Sequence, residues 1–135
     1  LYALTILTTL ALDDSTLGQT VRDIAGPMGI EVRRDPEPER NLLRRSDHWP
    51  FMQRGVPAVS FLFGFDQSDA VAAARYSDWY ENRYHAPQDE ITTPIDFEAQ
   101  AKFHRFYFAL AEAVADADEA PQWLPNSPHR PGRAN

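Results

Sequence analysis

The 135 residues carry twenty Asp and Glu against thirteen Lys and Arg, a formal charge of −7, with 43% hydrophobic and 24% charged side chains and no cysteine. That balance excludes a collagenous, low-complexity or disulfide-stapled chain, and it offers no net positive field to nucleic acid or to an anionic membrane. A single domain of this length buries roughly two-thirds of its unfolded surface, enough for one core but not for two domains around a cleft.

In chain order, Tyr2, Ala3, Leu4, Thr5, Ile6, Leu7 and Thr8 form a β-rich stretch that ends before Asp13, Asp14 and Ser15. This predicts a strand followed by a helix with Ser15 as its cap. Leu17, Val21, Ile24 and Met28 then recur at helical spacing until Gly26, Pro27 and Gly29 stop the helix. Ile30, Glu31 and Val32 predict a short strand. The run Asp35, Pro36, Glu37, Pro38, Glu39 cannot continue it, because two prolines lack donors and three carboxylates need water.

The apolar stretch over residues 58–63 is far short of the roughly twenty needed to cross a bilayer, so no membrane span is expected. Following Gly55 and Pro57, they predict a central strand covered on both faces of a parallel sheet. Residues 64–89 are aromatic and polar without a sustained period, which predicts a functional loop rather than a plain connector. Thr93, Pro94, Ile95 and Asp96 open the last helix, whose buried face is Phe103, Phe106, Leu110 and Val114. Residues 119–135 form a Pro-rich tail, extended or disordered unless Trp123 and Leu124 dock on the body formed by residues 1–118.

This order predicts an α/β fold with a mainly parallel or mixed sheet of about three strands, flanked by helices and ending in a long C-terminal helix. Three strands are few for a self-sufficient sheet; if an absent part of the fold normally covers them, their open edges and apolar face predict self-association of this chain as a homo-oligomer.

Two clusters carry candidate chemistry. In Arg45-Ser46-Asp47-His48-Trp49-Pro50-Phe51 a hydroxyl, a carboxylate and an imidazole stand in succession. Adjacent residues seldom converge on one reacting atom, so Ser46 and Asp47 are expected to cap a short helix over residues 48–53 rather than to build a Ser-His-Asp triad. The second cluster places His85 in the aromatic, acid-rich stretch from Trp79 to Glu90. A neutral imidazole binds zinc and needs an outer acceptor to fix its tautomer, a role open to Asp89 or Glu90, although a lone loop histidine is more often a hydrogen-bonded surface residue. His104 in the long helix is read as a partly buried packing residue and His129 lies in the Pro-rich tail; neither is assigned a site.

The order and spacing of Arg44-Arg45-Ser46-Asp47-His48-Trp49-Pro50-Phe51, Gly55-Val56-Pro57-Ala58 and Tyr84-His85-Ala86-Pro87-Gln88-Asp89 resemble the C-terminal part of the bacterial two-zinc aminopeptidases, relatives of glutamate carboxypeptidase and glutaminyl cyclase. The resemblance implies an α/β fold with a mixed sheet and a peptide substrate. It implies two zinc ions in the full-length parent, and at most one weak zinc site within these residues. His85 matches the last zinc-ligating histidine. Tyr84 matches a position whose hydroxyl steadies the tetrahedral intermediate, and Ser46, Asp47 and His48 match the stretch bordering the cleft, with Asp89 nearby.

The His-x-Asp pair, the Glu-Glu pair and the further acidic ligand of that family have no counterpart in this sequence, so the resemblance also implies a missing N-terminal half and an inactive fragment. A glutaminyl cyclase-like acyltransferase and a metal-free interaction domain on the same fold are the rival readings. Relatives of this kind are often exported, which implies a periplasmic or secreted parent; a chain opening on Leu1 rather than Met leaves room for a leader or an upstream region, and the absence of cysteine fits cytosol and periplasm alike.

Overall fold

The computed structural model describes residues 3–132, so Tyr2 of the predicted first strand and the last three residues of the tail lie outside the described residues. Three strands, β1 (Ile6–Leu10), β2 (Glu31–Arg34) and β3 (Ser60–Gly64), form one sheet in the order β2-β1-β3. Helix α1 (Leu17–Ala25) carries the chain from β1 to β2 as a crossover, which makes that pair parallel, with Leu7 opposite Val32. β3 runs antiparallel to β1, with Leu7 opposite Phe63 and Thr9 opposite Phe61. The fold is therefore α/β with a mixed sheet.

The centre of that sheet is β1, every residue of which is buried, and not residues 58–63, which provide an antiparallel edge strand. The apolar run misleads because its two faces are unequally buried. Phe61 and Phe63 turn toward the last helix, where Phe61 meets Phe106 edge-on at 5.3 Å and Phe63 meets Phe103 at 5.4 Å. Leu62, on the opposite face, is 41% exposed. Gly64 ends β3 where a Cβ would stand 2.7 Å from the Ile6 side chain, so the edge closes on β1 only because that position has no side chain.

Helix α4 (Phe97–Ala115) begins as the sequence predicts, with the Asp96 carboxylate accepting from the Ala99 N–H at 2.8 Å. Its Ala99, Phe106 and Leu110 join Leu4, Leu7, Val21, Ala25 and Ile30 in one core on the helix-covered side of the sheet. Ser15 does not cap α1. The cap position is Thr16, without a side-chain cap bond, while Ser15 is buried in a two-residue bridge to Trp123. Docking of the tail thus takes Ser15 away from the helix end.

The predicted loop over residues 64–89 is largely helix: α3 (Ala70–Asn82) occupies half of it, capped by the Asp69 carboxylate on the Val71 and Ala72 N–H groups. Its period was hidden because aromatic rings at Tyr76, Trp79 and Tyr80, rather than aliphatic residues, carry the packing face. A five-residue helix α2 (Trp49–Gln53) precedes β3. Among the described residues no helix is long and apolar enough to cross a membrane.

Candidate functional site

The Tyr84-His85 pair sits on the turn that ends α3. The N–H groups of Arg83 and Tyr84 both donate to the Trp79 carbonyl, which closes the helix, and the next turns are held by Ala86 N–H on Arg83 O and Asp89 N–H on Ala86 O. Between them His85 takes a left-handed backbone at φ 56°. That conformation costs a non-glycine residue on the order of 1 kcal/mol, and it turns the imidazole outward at an exposed position.

Rings hold this turn in place. Tyr84 stacks on Tyr80 at 4.9 Å, packs against Trp79 at 5.2 Å and carries the His85 ring at 3.8 Å on an interplanar angle of 21°. Tyr84 remains 37% exposed, and its hydroxyl makes no hydrogen bond among the described residues. Asp89 and Glu90 lie just beyond in exposed positions; Glu90 accepts from the Thr92 hydroxyl, and neither carboxylate bonds to His85.

Beside Tyr84 lies a groove of about 280 Å³, lined by the rings of Tyr76, Trp79, Tyr80 and Tyr84 and by Leu42 and Leu62. It continues into a second hollow of about 250 Å³ that reaches Thr8 and Gly64 on the Leu62 face of the sheet. Arg40 stands at the junction of the two. Its guanidinium lies 4.1 Å over the Tyr80 ring and donates to Glu37 at 2.8 Å and to the Tyr76 hydroxyl. Burial alone would lower its pKa, but the bonds to Tyr76, Glu37 and Tyr80 outweigh it and hold the group above its ordinary value. Burial also raises the Tyr76 phenol, against the opposing pull of Arg40.

Sequence reasoning missed Arg40, Tyr76 and Tyr80 as a unit. The available signal was the i, i+4 spacing of Tyr76, Tyr80 and Tyr84, which places three rings along one side of a helix and the turn beyond it.

Ser46, Asp47 and His48 form neither a triad nor the predicted cap. The Ser46 hydroxyl donates to the Leu42 carbonyl at 2.6 Å, and α2 starts at His48 without a side-chain cap bond. His48 Nε2 is buried without a hydrogen-bond partner. Burial lowers the pKa of this imidazole, partly countered by the charge of Asp47. No hydrogen bond or ion pair among the described residues joins this cluster to Tyr84 or His85.

A catalytic zinc site takes three protein donors. Among the described residues no group of three His, Cys, Asp or Glu is placed to hold a metal, and the Tyr84-His85 turn offers one exposed imidazole. These residues do not by themselves make a zinc site.

The profile of peptidase family M28 matches residues 3–111, which include β1, the groove and the Tyr84-His85 turn. Neither the curated proteins nor the solved structures give a match. The family match covers well over half of the sequence and runs through every strand of the sheet, so this chain belongs to peptidase family M28.

Proposed function

We propose that this chain is the C-terminal segment of a zinc-dependent aminopeptidase, in which His85 supplies one metal donor and Tyr84 donates its hydroxyl to the oxyanion of the scissile bond. The observation that carries the reading is the Tyr84-His85 turn: an outward imidazole on a left-handed backbone, stacked against a tyrosine with an unengaged hydroxyl, at the mouth of an aromatic groove. Strained backbone kept in place by a stack of rings is a common sign of a positioned functional group. The groove suits the apolar side chain of a peptide's first residue, with Leu42 and Leu62 and the α3 rings lining it.

The remaining metal donors and the general base come, in this reading, from sequence outside the described residues. Zinc bound there would act as a Lewis acid on the peptide carbonyl and lower the pKa of its water. The part of this chain is to position: His85 fixes one coordination direction, Tyr84 supplies a neutral donor to developing negative charge, and the groove holds the substrate in register.

The test is release of arylamine from aminoacyl anilides by the chain joined to its native upstream sequence, before chelation, after it and after zinc is returned. Zinc-dependent turnover that collapses in His85→Ala is the expected result. Bound zinc without turnover favours a cyclising acyltransferase, and absence of zinc binding favours a non-catalytic interaction domain. The 135-residue chain alone is expected to show no turnover.

A further inference from the structure

Helix α4 is apolar on two faces. At about 100° per residue, Ala99, Phe106 and Leu110 fall on one side and fill the core. On the opposite side fall Phe97, Ala101, His104, Phe108 and Ala111, all exposed. Phe97 is 76% exposed and Phe108 is 70% exposed, so two phenyl rings spaced eleven residues apart stand in water. Their intervals of four and three residues are those of a coiled-coil seam, and a helix apolar on both faces is ordinarily covered on both.

We propose that this outer face of α4 is a dimer interface, covered by α4 of a second copy in antiparallel orientation. The charges beside the seam choose the occupant and the register. Glu98 and Arg105 flank the seam on the same side, one heptad apart, and neither has an ion-pair partner among the described residues. Setting Phe97 against Phe108 of the second copy also sets Ala101 against His104, so each large ring meets its counterpart and a small residue meets the imidazole. That register brings Glu98 beside Arg105 of the second copy, and the twofold symmetry repeats the pair.

Other registers are worse. A slide of one heptad places Arg105 against Arg105 and Glu98 against Glu112. A further heptad restores one opposite-charge match, Arg105 with Glu112, but leaves Phe97 outside the contact. A parallel pair has no opposite charges across the seam, because Gln100 and Tyr107 occupy the facing flanks. The seam is therefore self-complementary in one antiparallel arrangement. With one helix from each copy the contact is small, so the dimer is concentration-dependent.

The experiment is sedimentation velocity of the full 135-residue chain over a concentration series, with far-UV circular dichroism to confirm that each variant folds. All substituted positions are exposed and outside the core. Wild type is expected to pass reversibly from monomer to dimer. Phe108→Glu is expected to remain monomeric. Glu98→Arg and Arg105→Glu are each expected to weaken association by about tenfold, since each turns two opposite-charge contacts into like-charge ones. The double swap E98R with R105E is expected to recover the wild-type dissociation constant. A wild-type monomer at every concentration overturns the proposal. Association that survives Phe108→Glu, or a double swap no better than the single reversals, overturns it too and assigns self-association to another surface such as the open edge of β3.

Discussion

His85 and His48 carry opposite kinds of strain, one in its backbone and one in its solvation. At His85 the cost is backbone: φ 56° suits glycine and resists a Cβ. His85→Gly is expected to be neutral or stabilising by up to about 1 kcal/mol, and His85→Val to destabilise by about 1–2 kcal/mol, in denaturant titrations of the chain. Loss of stability in His85→Gly instead would mean that stacking on Tyr84 outweighs the backbone. Under the proposed function the same glycine variant removes turnover, so stability and activity part company at one residue.

At His48 the cost is desolvation, which holds the folded pKa below the ordinary 6.5. The unfolded chain therefore binds the proton more readily. Stability from this group is complete above about pH 6.5 and declines as pH falls from there toward the folded value. Melting of wild type and His48→Gln from about pH 7.5 to about pH 5 is expected to show wild type losing more stability with acid, and parallel curves would contradict it. The sequence identified both histidines but neither of these states, because a left-handed turn and an unpartnered nitrogen arise from the neighbours that packing brings to them.

Among the elements, α4 was the most legible and α3 the least, and capping shows why. Asp96 precedes a run of aliphatic and aromatic residues at helical spacing, so local signal and core burial agree. Asp69 caps α3 equally well, but Ala72 is the one buried residue of α3, and a helix that packs by its rings leaves no aliphatic stripe to read. Ser15 is the converse case, a good cap by type that the tail recruits for a different contact. Its hydroxyl is buried without a partner, whereas the Asp96 carboxylate bonds the first turn of α4. Asp96→Ala is thus expected to cost about 1 kcal/mol in thermal or urea unfolding. Ser15→Ala is expected to be neutral or stabilising, since it removes a buried polar group that gains nothing in the fold. Equal losses from the two would restore Ser15 as a cap.

For the whole molecule, the proline-rich tail decides how much of the chain unfolds as one unit. Its proline content predicts an extended or disordered segment, whereas residues 125–132 are mostly turns, and docking depends on partners from 68 to 110 residues earlier in sequence. The Thr16 N–H donates to Gln122 O at 2.9 Å, the Gln122 N–H to the Thr16 hydroxyl at 3.0 Å and the Leu124 N–H to Asp14 O at 2.9 Å, while the Trp123 indole N–H donates to Gly55 O at 2.8 Å. Together these contacts tie the end of β1, the start of α1 and the approach to β3 to one strap. Each bond is worth about 1 kcal/mol net, and burial of the indole adds to them, so truncation after Ala120 is expected to lower unfolding free energy by roughly 3–5 kcal/mol. Trp123→Phe keeps most of the ring's packing and loses one hydrogen bond, so its cost should be about 1–2 kcal/mol. Urea titrations of the three proteins check both values. An unchanged midpoint in the truncated chain would show that the body folds without its strap.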